Sequence, residues 1–192
     1  GLATTFGLTY IPGPWMESIQ ISKGTSSVRN GYESMAGQIN VEYKKPRASE
    51  KFYLNGFFSD NGRKELNANS SVLINNRWST MILAHGELQS ATGDHNHDGF
   101  RDEPDIRQYN LFNRWDYMTK NFTFRTGFKY VNEERIGGQY TYKSENADTW
   151  SDGFGIKINT ERIDGFTKLG GVFGNNESMT IGWIQSAAYH SQ

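Results

Sequence analysis

Apolar and polar residues alternate along most of the chain after residue 50. In residues 122–132, for example, phenylalanines occupy positions 122, 124 and 128, and polar or charged residues lie between them. A period of two is typical of a β-strand with one apolar and one polar face. The same pattern predicts seven strands, at residues 51–59, 65–74, 78–89, 106–117, 122–132, 156–173 and 179–190.

The first 46 residues have a different texture. Two short alternating stretches, residues 17–21 and 38–43, predict two further strands, and a segment rich in turn-forming residues separates them. After Lys44-Lys45-Pro46 the regular alternation begins.

The connections between the seven strands differ in length. Residues 75–77, 119–121 and 174–178 are short turns, whereas residues 90–105 and about 134–155 are long, polar and charged. Tilted strands of about ten residues cross a bilayer, and short turns at one end with long loops at the other are typical of an outer-membrane β-barrel. A soluble antiparallel sandwich or barrel shows the same alternation, so the pattern alone favours neither.

Aromatic residues lie beside the short turns, where a membrane barrel carries a girdle of aromatic side chains at the lipid–water interface. They are Trp78, Trp115, Tyr117 and Phe122.

Composition narrows the function classes. The 192 residues carry 20 Lys and Arg against 21 Asp and Glu, so the chain lacks the excess basic charge of a nucleic-acid binder. The absence of cysteine excludes disulfide scaffolds, thiolate metal sites and cysteine nucleophiles. No run of 18 apolar residues predicts a transmembrane helix. Aromatic residues at 14%, with 21 glycines, suit strands that expose aromatic rings.

Residues 17–46 closely resemble the end of the plug domain of TonB-dependent outer-membrane receptors. Lys23 and Thr25 depart from the Arg-Gly-Pro turn of that family. The matching positions are Gly24, Ser26, Gly31, Gly37, Ile39, Asn40 and Lys44-Lys45-Pro46.

The resemblance implies an all-β fold in two parts. Residues 1–46 would be the C-terminal part of a plug domain, and residues 47–192 the N-terminal strands of a transmembrane antiparallel β-barrel. About seven of the 22 strands typical of the family would be present. Seven strands leave two unpaired edges, which are unfavourable in hydrocarbon, so we expect the chain to be a fragment of a longer protein.

The same resemblance implies TonB-dependent active transport of a scarce, bulky nutrient across the outer membrane of a Gram-negative bacterium. The substrate would be cobalamin, haem, a ferric siderophore or another metal chelate. Expected partners are TonB (through an N-terminal TonB box absent from these residues), outer-membrane lipid and, as a further candidate, a surface-exposed lipoprotein.

A different class of protein fits the alternation as well, namely a soluble calcium-binding β-sandwich used for adhesion or glycan binding. A sandwich would bury the regularly spaced apolar side chains between its sheets, whereas a barrel would turn them outward. The positions that separate the two are Phe52, Leu54, Phe122, Phe124 and Phe128.

The sharpest motif is the acidic stretch 94–105, which follows the Asp-x-Asn-x-Asp-Gly pattern of a calcium loop, with Gly99 at the sharp turn. We expect a calcium loop on strands, because no flanking helices are predicted; the alternative is a solvated acidic loop. His95 and His97, near His85 and Met81, are weaker candidates for a transition metal or haem iron. The candidate calcium ligands are Asp94, Asn96, Asp98, the Phe100 carbonyl, Asp102 and Asp105.

Three cations on the predicted polar faces, Arg114, Arg125 and Lys129, could hold the plug or attract an anionic substrate, or simply solvate the interior of a barrel. No Gly-x-Ser-x-Gly elbow, P-loop or His-Glu-x-x-His motif is present. We therefore predict no enzymatic activity and no nucleic-acid partner.

Overall fold

The computed structural model describes residues 9–24, 37–90, 93–142, 153–173 and 179–192. These residues form nine β-strands and one short 3₁₀ helix, Gly13–Trp15. The strands are β1 (Met16–Lys23), β2 (Gly37–Tyr43), β3 (Phe52–Phe58), β4 (Arg63–Leu73), β5 (Trp78–Gln89), β6 (Asp105–Met118), β7 (Phe122–Gly138), β8 (Gly155–Phe173) and β9 (Met179–Ser191). None of the described helical structure is long and apolar enough to span a membrane.

The strands form two antiparallel sheets. β1 and β2 pair with each other, and β3 to β9 form a seven-stranded sheet in which each strand pairs with its neighbours in the chain. Within the described part of the chain β3 and β9 are the edges, so this sheet is open and does not close into a barrel. The prediction of an all-β antiparallel fold is confirmed.

Strand positions agree closely with the alternation, and the largest difference lies in the second long connection. The predicted loop of about residues 134–155 is wrong at its first end, because β7 continues to Gly138, whereas β8 begins at Gly155, within one residue of the prediction. Charged side chains do not interrupt the ladder there. Glu133 pairs with Arg135, with 3.1 Å between carboxylate and guanidinium, and Glu134 lies 2.8 Å from the Lys157 ammonium. The first long connection is also shorter than predicted, since Asp105 already belongs to β6.

Two short turns lie where the sequence places them. In the first, Asn75 Oδ1 accepts hydrogen bonds of 2.8 Å from the backbone N–H groups of Arg77 and Trp78. In the second, Thr119 Oγ1 accepts a hydrogen bond of 3.0 Å from the Phe122 N–H. Side-chain acceptors of this kind stabilise tight turns, and so fix the register of the strands that follow. The third predicted turn, 174–178, lies outside the described residues.

The seven-stranded sheet has one polar face and one apolar face, and the polar face is the buried one. We call it the inner face and the other the outer face. The buried polar side chains of the sheet, all but Thr160 on β4 to β7, are Asn67, Asn69, Ser71, Ser79, His85, Glu87, Gln89, Gln108, Asn110, Arg114, Asp116, Glu133 and Thr160.

The outer face exposes its apolar side chains. Phe52 is 67% exposed, Leu54 59%, Phe122 39% and Phe128 47%, and Phe124 is half-buried. This is the reverse of a water-soluble sheet with one solvated face, which buries its apolar side chains.

A small hydrophobic cluster lies on the inner face. It consists of Trp15, which ends the 3₁₀ helix, and three side chains of the sheet, Met81, Leu83 and Phe112. Tyr43 of β2 and Phe166 of β8 pack around it. The cluster therefore joins the N-terminal residues to the middle of the seven-stranded sheet.

Candidate functional site

The N-terminal segment, residues 9–24 and 37–46, contacts the inner face through its first residues. Gln108 and Asn110, both buried on β6, donate side-chain hydrogen bonds to the backbone carbonyls of Thr9 and Tyr10 at 3.1 and 3.3 Å. Because a buried amide without a partner costs about 1–3 kcal/mol, these bonds favour one position of the segment. Alternation along β6 places both amides on the same side of the sheet.

Aromatic rings make the second contact between the segment and the inner face. The ring centroids of Tyr43 and Phe112 are 5.1 Å apart, and those of Trp15 and Phe112 are 6.4 Å apart. Phe166 stacks on Phe112 at 6.4 Å and 19°. Gly127 makes room for this stack, since a Cβ at that position would lie 2.5 Å from the Phe166 ring. β7, which lies between the strands of Phe112 and Phe166, thus needs glycine at position 127.

A group of charged side chains borders the aromatic contact. Lys129 Nζ lies 3.5 Å from the Tyr43 hydroxyl and 3.7 Å from an Asp164 carboxylate oxygen. Arg162 binds the same carboxylate at 2.7 Å. Of the three cations predicted on the polar faces, Lys129 contacts the N-terminal segment, whereas Arg114 is bound to Asp116 of its own strand at 2.8 and 3.0 Å.

A second ionic network lies on the inner face of β4 and β5. Glu65 and Glu87 are directly opposite in register, an unfavourable arrangement of like charges. Arg63 Nε lies 2.6 Å from Glu65 and 3.1 Å from Glu87, so one guanidinium bridges both carboxylates and offsets part of their repulsion. His85 is held between Asn67, at 2.8 Å, and Glu87, at 3.7 Å.

The acidic loop, residues 93–104 with Asp105 at the start of β6, brings three of the predicted calcium ligands together. The Asp94 carboxylate accepts hydrogen bonds of 3.0 Å from the N–H groups of Asp98 and Gly99. The Asn96 amide donates to Asp98 Oδ2 at 2.9 Å, and Asp98 Oδ1 accepts from the Phe100 N–H at 2.8 Å. Gly99 has φ +83°, the left-handed conformation that a sharp turn requires.

The other two predicted carboxylate ligands are engaged elsewhere. Asp102 Oδ2 accepts hydrogen bonds from the backbone N–H and the ring Nδ1 of His95, at 2.9 and 2.6 Å. Asp105 lies 3.4 Å from Arg101 Nε. In the described parts of the chain no three His, Asp or Glu side chains are grouped as a metal site. The oxygens of Asp94, Asn96 and Asp98 suit a hard cation such as calcium, and calcium binding stays a prediction.

The pair formed by His95 and Asp102 alters the acidity of both groups. A hydrogen bond and the charge of Asp102 raise the pKa of His95 above its ordinary value. The backbone and ring N–H groups of His95 lower the pKa of Asp102. The carboxylate engages only Nδ1 of the His95 ring, and a metal ligand commonly bonds a carboxylate in this way through its other ring nitrogen, so transition-metal binding by His95 stays a prediction.

The acidic loop is attached to the end of β7. Phe100 forms an isolated antiparallel bridge with Gln139, the Arg101 N–H donates to the Gly138 carbonyl at 2.9 Å, and the Tyr140 N–H donates to the Gly99 carbonyl at 3.0 Å. These bonds hold the acidic loop beside the C-terminal end of β7. We call this end of the seven-stranded sheet, where β6 begins and β7 ends, the loop-side end.

The residues that sequence reasoning missed are the apolar ones on the inner face. Met81, Leu83 and Phe112 occupy positions that should be polar by alternation, and Trp15 and Tyr10 cover the same region. Apolar residues at adjacent inner positions of β5 and β6 were the available signal. They indicate that another part of the protein packs on the polar face at this place.

Comparison of the chain with protein-family models, with curated proteins and with solved structures gives no match. The assignment of residues 17–46 to a plug domain therefore stays a prediction. Among the matching residues, Gly24 follows the last residue of β1 and has φ +79°. Gly37 is the first residue of β2, and the Asn40 side chain donates a hydrogen bond to Gln20 Oε1 at 3.2 Å. Ser26 and Gly31 lie outside the described residues.

Proposed function

We propose that this chain belongs to a TonB-dependent transporter of the bacterial outer membrane. Residues 1–46 would be the end of its plug, and residues 47–192 the first strands of its transmembrane barrel. The observation that carries the proposal is the sidedness of the seven-stranded sheet: its polar face is buried and contacts the N-terminal segment, and its apolar face is exposed.

Burial of apolar surface contributes about 25 cal/mol per Å², so an exposed apolar face of this extent is unfavourable in water. In a bilayer the same face is solvated by acyl chains, and alternation of apolar-out and polar-in residues is the pattern of membrane barrels. The open edges of β3 and β9 would then be paired by further strands of the full protein, because unpaired backbone groups in hydrocarbon cost several kcal/mol each.

The transported substrate would be a scarce, bulky nutrient such as cobalamin, haem, a ferric siderophore or another metal chelate. The polar inner face and the acidic loop would lie along its route, and the N-terminal segment would be part of the gate. Energy would come from the inner membrane through TonB, and a surface-exposed lipoprotein is a further candidate partner.

The test is nutrient uptake by a strain that lacks the full-length gene, with cobalamin, haem and ferric siderophores supplied one at a time at limiting concentration. We expect growth to fail on one of them and to return when the intact gene is restored. Normal growth of the deleted strain on every nutrient would refute transport. Fractionation of the restored strain should place the protein in the outer membrane.

The second candidate is a soluble calcium-binding β-sandwich for adhesion or glycan binding. The hydrogen-bonded turn formed by Asp94, Asn96 and Asp98 is the observation that it would explain. A sandwich would need a second layer over Phe52, Leu54 and Phe128, which are exposed. Recovery of the full-length protein in the soluble fraction, without detergent, would favour this candidate over the transporter.

A further inference from the structure

A depression of about 400 Å³ lies at the loop-side end of the sheet, and the outer-face side chains Lys64, Leu88, Arg107 and Glu134 are among those that line it. Lys64 on β4 pairs in register with Leu88 on β5, and Leu88 pairs with Arg107 on β6. Two exposed cations thus stand on either side of one apolar side chain. Adjacent strands are about 4.8 Å apart, so the two cations are close enough to reach one anion.

The two carboxylates that line the depression, Glu134 and Asp105, are directed to other cations. Glu134 is opposite Arg107 in register, but its carboxylate lies 2.8 Å from Lys157 Nζ. Asp105, which also lines the depression, lies 3.4 Å from Arg101 Nε. Among the described residues, the Lys64 ammonium and the Arg107 guanidinium have no ion pair and no side-chain hydrogen bond. The depression therefore offers two cations that no carboxylate of the described residues binds directly.

Apolar side chains continue from these cations down the outer face. Leu66 and Tyr109 occupy the next outward positions on β4 and β6, and Leu111 the position after that, all of them exposed. Gly86 on β5 lies between Leu66 and Tyr109, and the Tyr109 ring packs over it, 3.7 Å from the position that a Cβ would occupy. The surface therefore has two cations, Lys64 and Arg107, at the loop-side end of the sheet and a strip of apolar side chains below them, which we call the apolar stem.

We propose that this surface binds one anionic membrane lipid, with its phosphate between Lys64 and Arg107 and its acyl chains along Leu88, Leu66 and Tyr109. Arg forms paired hydrogen bonds with phosphate and Lys supplies a compact charge. The apolar stem selects a lipid over a free phosphate ion. This inference rests on the proposed membrane location of the outer face.

The test uses the full-length protein in nanodiscs made of equal parts phosphatidylcholine and phosphatidylglycerol. After extraction into a neutral detergent, the lipid that stays with the protein is quantified by mass spectrometry. The wild type should retain phosphatidylglycerol in preference to phosphatidylcholine, and the double variant K64Q/R107Q should retain about tenfold less, because each cation near a lipid surface contributes substantially to anionic-lipid binding. The matched control is R77Q, which removes an exposed cation from a short turn.

Equal enrichment in the wild type and the double variant would overturn the lipid site, as would loss of the bound lipid on addition of millimolar inorganic phosphate. Insertion is measured separately, by flotation with vesicles of the same composition. If the protein floats with the vesicles but retains both lipids equally in the mass-spectrometry measurement, this inference alone is overturned. Protein that does not float overturns the membrane location and the lipid site together.

Discussion

The indole of Trp15 meets the phenol ring of Tyr43 edge-on, with ring centroids 6.3 Å apart and ring planes at 84°. Tyr43 in turn packs on Phe112 of the sheet. This arrangement is favourable for aromatic pairs, and it places two rings of the N-terminal segment against one ring of the inner face. Burial of these rings helps to hold the segment on the inner face.

Removal of the Trp15 side chain should loosen the segment. Truncating a buried Trp to Ala costs about 3–5 kcal/mol, so the segment should open at least about a hundredfold more often in W15A. The Lys44 N–H, which donates to the Trp15 carbonyl at 2.9 Å, reports this opening by hydrogen exchange in the full-length protein. The control is W183A, an exposed Trp on β9, and equal exchange in both variants would contradict the prediction.

A charge on the outer face should be costly if that face contacts lipid. Leu111 is exposed in the middle of β6, and a Lys there should destabilise the full-length protein in vesicles by about 2–4 kcal/mol. Denaturant titration in phospholipid vesicles measures the change. F154K, at an exposed position just before β8, is the control, with an expected change within about 0.5 kcal/mol. A negligible effect of L111K would indicate that water covers the outer face.

Calcium binding should depend unequally on the carboxylates of the acidic loop. Asp94 and Asp98 lie together, whereas Asp105 is paired with Arg101. We therefore expect D98A to weaken calcium binding by at least about tenfold, since affinity depends on ligand charge, and D105N to have a smaller effect. Calorimetric titration of the full-length protein with calcium alone measures both, with D60A as control. Identical heats from wild type and D98A would refute the loop assignment.

The His95–Asp102 contact should be sensitive to pH. Because the pKa of His95 is raised, the contribution of its charge is present below the ordinary histidine pKa and is lost as the pH rises through the raised value. Because the pKa of Asp102 is lowered, its contribution is lost as the pH falls through the lowered value. The contact is thus strongest between these two pKa values.

The substitution D102N should return the pKa of His95 toward about 6.5. NMR titration of the histidine ring protons measures it directly. D98N is the control, because the Asp98 side chain is bonded to Asn96 and Phe100 instead. An unchanged His95 pKa in D102N would show that the two groups do not interact in solution.

The strand pattern could be predicted from the sequence because alternation reflects which side of a strand meets water or an apolar phase. Predicted strand 78–89 coincides with β5 (Trp78–Gln89). The extension of β7 to Gly138 could not be predicted, since residues 133–135 are all charged and a local pattern does not show the partners across the ladder. The ion pairs of Glu133 with Arg135 and of Glu134 with Lys157 on β8 make those positions acceptable.

The candidate site was only partly predictable. The turn of Asp94, Asn96 and Asp98 follows from residue spacing, because it is local. The pairing of Asp105 with Arg101 and of Asp102 with His95 depends on side-chain directions that spacing does not determine. The contact of Trp15 with Met81 and Phe112 joins residues that are far apart in the chain, so no local pattern could reveal it.

The connectivity of the sheet also determines an order of assembly. Each strand from β3 to β9 pairs only with its neighbours in the chain, so the sheet can grow one hairpin at a time through contacts of short sequence separation. The bond from Gln108 to the Thr9 carbonyl closes a separation of 99 residues, and contacts of long separation form slowly. The inner face must therefore exist before the N-terminal segment can bind to it, although that segment precedes the sheet in the chain.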